Sequence, residues 1–179
     1  ALADKVLNQL LDDDKESPAY KVLETYKGID LERKPFEPLY DCAKKAADAQ
    51  NKKGFYVVCD EYVTMSDGTG IVHIAPAFGE DDANVGRKYD LPFVQMVDEA
   101  GVMLKESPFG GMRAKPTKEE MDAGAISADP EVIKELSGRK LLFAAPKFEH
   151  DYPHCWRCDT PLLYYARESW YIKETAVKD

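Results

Sequence analysis

Residues 55–75 constrain this chain more than any other stretch. Phe55, Tyr56, Val57, Val58 and Cys59, followed by Tyr62, Val63 and Thr64, are mostly β-branched or aromatic, the types that fit a pleated, half-buried surface. Ser66-Asp67-Gly68-Thr69-Gly70 comes next, a turn whose glycines tolerate positive φ. Residues 71–75 then read as a second strand, so the two runs predict a β-hairpin.

Shorter elements are expected on either side. Leu2, Val6, Leu7, Leu10 and Leu11 share one face of a helix over residues 1–12. Asp12, Asp13 and Asp14 oppose its macrodipole, and Pro18 stops it from continuing. Residues 20–26 read as a strand, residues 35–40, with two prolines, as an extended edge, and the Ala- and Lys-rich residues 41–53 as a weak surface helix. After Pro76 and Gly79, the acids Glu80, Asp81 and Asp82 open a helix to about Tyr89. Residues 93–97 and 102–104 flank Asp98-Glu99-Ala100-Gly101, a second hairpin signal. Helices are predicted over 116–121 and 129–136, the latter with Asp129 as N-cap and Pro130 at the first helical position. Residues 140–145, 162–165 and 169–172 read as strands. The sum is an α+β chain, a β-rich mixed or barrel-like sheet core with peripheral helices. With 179 residues, no repeat and no linker, it reads as a single domain over 1–179.

Charge removes several function classes. Lys and Arg number 24 against 33 Asp and Glu, a net charge of -9 that repels phosphate, so no autonomous nucleic-acid binding is expected. No apolar run is long enough for a membrane helix and residues 1–11 do not resemble a signal peptide, which predicts a cytoplasmic protein without a membrane partner. Four cysteines are too few for a disulfide scaffold in a chain this long and suit a reducing compartment.

The densest candidate for chemistry runs from Gly68 to Asp82. Period two in 71–75 puts Ile71, His73 and Ala75 on one face. A strand thus delivers a histidine, a Pro/Gly turn reverses the chain, and a helix start delivers Asp81 and Asp82. The same residues also read as a half-buried histidine with a backbone partner and two first-turn acids favoured by the helix dipole. Gly68-Thr69-Gly70 is not a phosphate cradle, because no Gly-Lys-Ser/Thr follows. The second candidate, His154-Cys155-Trp156-Arg157-Cys158, holds two thiols at metal-ligand spacing, half of a four-ligand zinc site. A redox pair or two small half-buried thiols are the other readings. Tyr164, Tyr165, Trp170 and Tyr171 read either as base-stacking residues or as interface aromatics.

GTGIVHIAPAFGEDD (residues 68–82) and DYPHCWRCDTPLLYYARESWYI (residues 151–172) closely resemble isoleucyl-tRNA synthetases, in the editing domain inserted into their catalytic domain and the return of the chain toward that core. The sister valyl and leucyl enzymes differ at the position of His73, so the histidine selects the isoleucyl branch. The resemblance implies the editing-domain fold, with residues 151–179 as the return segment. It implies hydrolysis of valine wrongly esterified to the isoleucine tRNA. One methylene is worth only about 1–3 kcal/mol to a binding pocket, a limit for which these very enzymes are the usual worked illustration, so a second sieve is needed. Asp82 matches the family's anchor for the substrate α-ammonium, and His73 the residue beside its side chain. Thr69, Gly70, Ala75, Phe78 and Asp81 are further candidates for lining the cleft. The partner implied is the aminoacyl end of tRNA(Ile), presented by the rest of the synthetase. Editing implies no cofactor; ATP, with zinc as a further candidate at Cys155 and Cys158, belongs to the full-length parent, an isoleucine-tRNA ligase. In the family a threonine-rich peptide forms another pocket wall; the six threonines here are scattered, so the chain is expected to begin downstream of it. The rival readings are a non-catalytic module, binding the tRNA end or docking through half a zinc site, and an editing domain of the valyl or leucyl branch.

Overall fold

A computed structural model of the chain describes residues 21–64, 69–147 and 151–178. The helix expected over 1–12 lies outside them. Four α-helices are present among these residues: α1 (Asp41–Ala49), α2 (Glu80–Tyr89), α3 (Lys118–Asp122) and α4 (Ala128–Gly138). Single 3-10 turns occur at Gly28–Leu31 and Glu174–Ala176.

The starts of α2, α3 and α4 have local causes. Gly79 is the N-cap of α2, with Glu80, Asp81 and Asp82 in the first turn and Arg87 and Lys88 in the last, so charge complements the macrodipole at both ends. Thr117 caps α3 by accepting from the Glu120 N–H, and the Glu120 carboxylate returns the bond to the Thr117 N–H, a complete capping box. Helix α3 therefore starts two residues later than the sequence suggested. The N-cap of α4 is Ser127, not Asp129; Asp129 sits inside the first turn, where a carboxylate still faces the positive helix end.

The β-rich sheet or barrel-like core expected from the sequence is not formed. Among the described residues the β pairing consists of isolated antiparallel bridges, Pro35 with Tyr56, Val97 with Met103, Val102 with Arg113 and His154 with Pro161. β-propensity reports how a side chain suits a pleated surface; it does not supply a partner strand. Ile71 is 74% exposed, Phe143 69% and Trp170 fully so, and their runs have no ladder beside them. The hairpin between 55–64 and 71–75 is likewise absent. Residues 55–57 pair instead with the extended edge that precedes α1: Arg33 N–H donates to Val57 C=O at 2.8 Å, Val57 N–H to Lys34 C=O at 2.9 Å, and Phe36 N–H to Phe55 C=O at 2.8 Å. The second hairpin does form. Asp98 N–H donates to Val102 C=O and Leu104 N–H to Met96 C=O, each at 2.9 Å. Asp98 Oδ1 accepts from the Ala100 and Val102 amides, and Gly101 takes φ 75°, which closes the turn.

Among the described residues the buried apolar side chains are scattered, and all but Phe109 are alanine or valine: Ala47 of α1, Ala77, Val85 of α2, Val97, Phe109 and Ala128. Ala77 and Val85 flank the turn into α2, so part of this core lies directly beneath the candidate site. Among the described residues no helix is long and apolar enough to cross a membrane.

Candidate functional site

The site begins with a proline seated on a glycine. Pro76 follows the extended segment 71–75, and its ring lies over Gly86 of α2, where an added Cβ would come within 2.9 Å of the Pro76 Cβ. Phe78 N–H donates to Ala75 C=O at 2.8 Å, turning the chain into the helix. Ala77 is 1% exposed at the bottom of that turn, and its carbonyl accepts the Ala166 N–H at 2.8 Å. The turn is thereby held from below by α2 and from the side by the C-terminal segment.

This arrangement folds the Asp82 side chain back over the N-terminus of α2. Its Oδ2 accepts the Ala75 N–H at 3.1 Å, and its Oδ1 accepts the Tyr62 hydroxyl at 3.3 Å. Gly79 leaves the room: a Cβ there would lie 3.0 Å from Asp82 Oδ2 and 3.1 Å from the carboxyl carbon. Asp82 is half-buried. Burial, and then the Asp82 charge, push the Tyr62 phenol above its usual range, so the hydroxyl stays protonated and donates at neutral pH. A carboxylate offers about four acceptor positions, and two donors leave two of them for a ligand.

The other residues singled out from the sequence are placed differently. His73 is exposed on the extended segment and makes no hydrogen bond among the described residues, so the backbone-partnered histidine is not what is found. Asp81 is exposed in the first turn of α2. Thr69 Oγ1 is engaged in its own turn, 3.2 Å from both the amide and the carbonyl of Ile71, and Gly70 takes φ 74° beside it. Ala75 and Phe78 are half-buried. Two open hollows, of about 470 and 560 Å³, are lined by residues 33–56 and by residues 37–45 with 106–139; neither includes His73 or Asp82. Sequence reasoning missed Tyr62 and Gly79. Tyr62 reads as one more strand aromatic, and nothing in its neighbourhood signals a bond to a residue 20 positions on.

Cys155 and Cys158 occupy the tip of a small hairpin. His154 bridges Pro161, Cys155 N–H donates to Thr160 C=O at 2.9 Å, and Asp159, at φ 54°, donates its N–H to Cys155 C=O at 2.8 Å. Cys158 Sγ lies 3.3 Å from Thr160 Oγ1; the Thr160 hydroxyl, then its amide, then the Cys155 thiol hold the Cys158 pKa below the ordinary thiol range. Both thiols are free. Among the described residues no third His, Cys, Asp or Glu stands with the pair, so these residues do not by themselves make a four-ligand zinc site.

No protein-family model matches the chain. Curated proteins do. The chain is 44% identical over 161 residues to an isoleucine–tRNA ligase of Clostridium acetobutylicum, covering 89% of this chain and 14% of that protein. It is 45% identical over 158 residues to the isoleucine–tRNA ligase of Thermus thermophilus, covering 88% of this chain and 13% of that one. Over 179 aligned residues, 99% of this chain, it is 36% identical to the isoleucine–tRNA ligase of Clostridium tetani, of which it covers 15%. The chain thus spans about 14% of the length of the relatives it matches. At that identity over almost all of its residues, the chain belongs to the isoleucyl-tRNA synthetase family, as a part of those much longer ligases.

Proposed function

We propose that this chain is the editing part of an isoleucine-tRNA ligase and hydrolyses valine from mischarged tRNA(Ile). The observation that carries the reading is the clamped carboxylate of Asp82, fixed between Ala75 N–H and Tyr62 O–H with acceptor capacity left over. A half-buried, immobilised carboxylate suits a primary ammonium, because charge-assisted hydrogen bonds are the strong ones. Asp82 then binds the α-ammonium of the aminoacyl ester and sets its carbonyl in place. Water attacks the carbonyl carbon, the oxygen of the terminal ribose leaves with a proton, and valine and tRNA are released. An ester activated in this way needs an oriented water and donors at the developing oxyanion more than a strong base. In this reading His73, exposed on the extended segment, stands beside the substrate side chain and limits its size, since an extra methylene forced into a closed complex costs about 1–3 kcal/mol. Thr69, Gly70, Ala75, Phe78 and Asp81 are, in the same reading, the further residues that line the cleft.

The partner in this reading is the aminoacyl end of tRNA(Ile). With a net charge of -9, the chain relies on the rest of the ligase to hold the tRNA body. Residues 1–179 form one editing domain whose segment 151–179 leads toward the catalytic core, in a cytoplasmic enzyme. Editing itself uses no cofactor, and ATP serves the charging reaction elsewhere in the ligase. Deacylation of Val-tRNA(Ile) by the full-length ligase, with Asp82→Ala and His73→Ala beside wild type, tests the reading. Loss with Asp82→Ala supports it; a wild-type rate with Asp82→Ala would leave a non-catalytic tRNA-end module as the better description.

A further inference from the structure

We infer that Tyr62 is a positioning residue for the Asp82 carboxylate, so that the site's grip on an α-ammonium depends on a phenol outside the sequence motif that carries the carboxylate. The inference rests on the editing reading above and adds to it the group that aims the anchor. Asp82 has two side-chain torsions, and the Ala75 N–H fixes only Oδ2. With that bond alone the carboxylate plane still turns about its contact. The Tyr62 hydroxyl, 3.3 Å from Oδ1, restrains the second oxygen and limits that rotation. The open side of Gly79 allows the carboxylate to lie there, and a Cβ would press on Oδ2 at 3.0 Å. Three independent features therefore converge on one side chain: a backbone donor, a phenol donor, and a missing Cβ. Tyr62 is itself half-buried, and burial first, then the charges of Asp82, Asp81 and Asp60, favour the protonated, donating form of its hydroxyl. The phenol contributes a hydrogen bond to a charged acceptor, the kind whose loss is felt most.

The test is single-turnover deacylation of Val-tRNA(Ile) by the full-length ligase, enzyme in excess, with wild type, Tyr62→Phe, Asp82→Ala and the double variant. Phenylalanine keeps the ring and removes only the donor. The expected result is a rise of about five- to tenfold in the half-saturating concentration for Tyr62→Phe, with the maximal rate within about twofold of wild type. Isoleucine charging is expected to be unchanged. On the Asp82→Ala background, Tyr62→Phe has no further effect, because its target is gone. A purely structural role would add its loss on both backgrounds. The inference is overturned if Tyr62→Phe edits with wild-type saturation, or if its loss is as large with Asp82→Ala as without it. Gly79→Ala is the second variant: it crowds Oδ2 from the other side and is expected to raise the half-saturating concentration in the same way. The editing reading fails by a different result, Asp82→Ala alone leaving both parameters at wild type.

Discussion

The ring of Pro76 rests on Gly86, one helix turn below the carboxylate of Asp82, with no room between the two for a methyl group. That contact fixes the distance between the extended segment carrying His73 and Ala75 and the helix carrying Asp82. Gly86→Ala would gain about 1 kcal/mol in helix propensity. It would lose more by forcing Pro76 outward, since overpacking a closed contact costs about 1–3 kcal/mol. The net expectation is a loss of about 1 kcal/mol, read as a lower urea midpoint with the slope unchanged. The same variant should weaken deacylation beyond what its stability loss explains, because Ala75 N–H moves with Pro76.

Helix α3 depends on its cap. It has only five residues, and Thr117 and Glu120 exchange both bonds of a capping box. Glu120 also accepts from Arg113 Nε at 2.6 Å, which ties the helix to the edge of the second hairpin. The Thr117 amide, acting first, and then the Arg113 guanidinium hold its carboxyl below the usual range. Thr117→Ala is expected to cost about 1 kcal/mol, and Thr117→Ser much less, since serine restores the acceptor. Amide exchange at Glu120 should rise in the alanine variant and stay near wild type in the serine one.

How much of this was legible in the sequence depends on whether a signal is local. The acids at 80–82 marked the start of α2 because a helix dipole is read by adjacent residues. Asp98 to Gly101 marked a hairpin because an Asx turn closes on its own neighbours. The pairing of 55–57 with 33–36 was invisible: a ladder is chosen among all extended segments, and 33–36, interrupted by Pro35, offers no alternation that names its partner. The same limit produced the unformed sheet, since strand-favouring runs such as 71–75 and 169–172 announce side-chain type without supplying a neighbour. In the site, Asp82 was legible from a motif in one continuous string. Tyr62, reached only by the folding-back of that string, was not.

Among the four phenols raised in the described residues, Tyr26, Tyr40, Tyr62 and Tyr89, burial is the leading cause at Tyr40 and Tyr62, and these two contribute to an alkaline limit. Burial first, and then the bond to Glu135, raise Tyr40; burial first, and then the Asp82 charge, raise Tyr62. A phenol whose folded pKa exceeds its unfolded value of about 10 favours the native state fully below that value and loses the advantage as pH rises through the folded one. Stability should therefore hold from neutral pH to about 10 and fall above it. Urea midpoints at pH 8 and pH 11 should differ less in Tyr62→Phe and Tyr40→Phe than in wild type. An equal alkaline loss in all three proteins would show that these phenols are not the cause.

The central claim is that a clamped carboxylate holds the ammonium of a mischarged valyl ester, and the rate of Val-tRNA(Ile) deacylation by the full-length ligase carrying Asp82→Ala tests it most directly. The rate at low tRNA concentration is expected to fall about 10- to 100-fold, the worth of a hydrogen-bonded charge pair, while isoleucine charging continues at the wild-type rate. Deacylation within about twofold of wild type would contradict it.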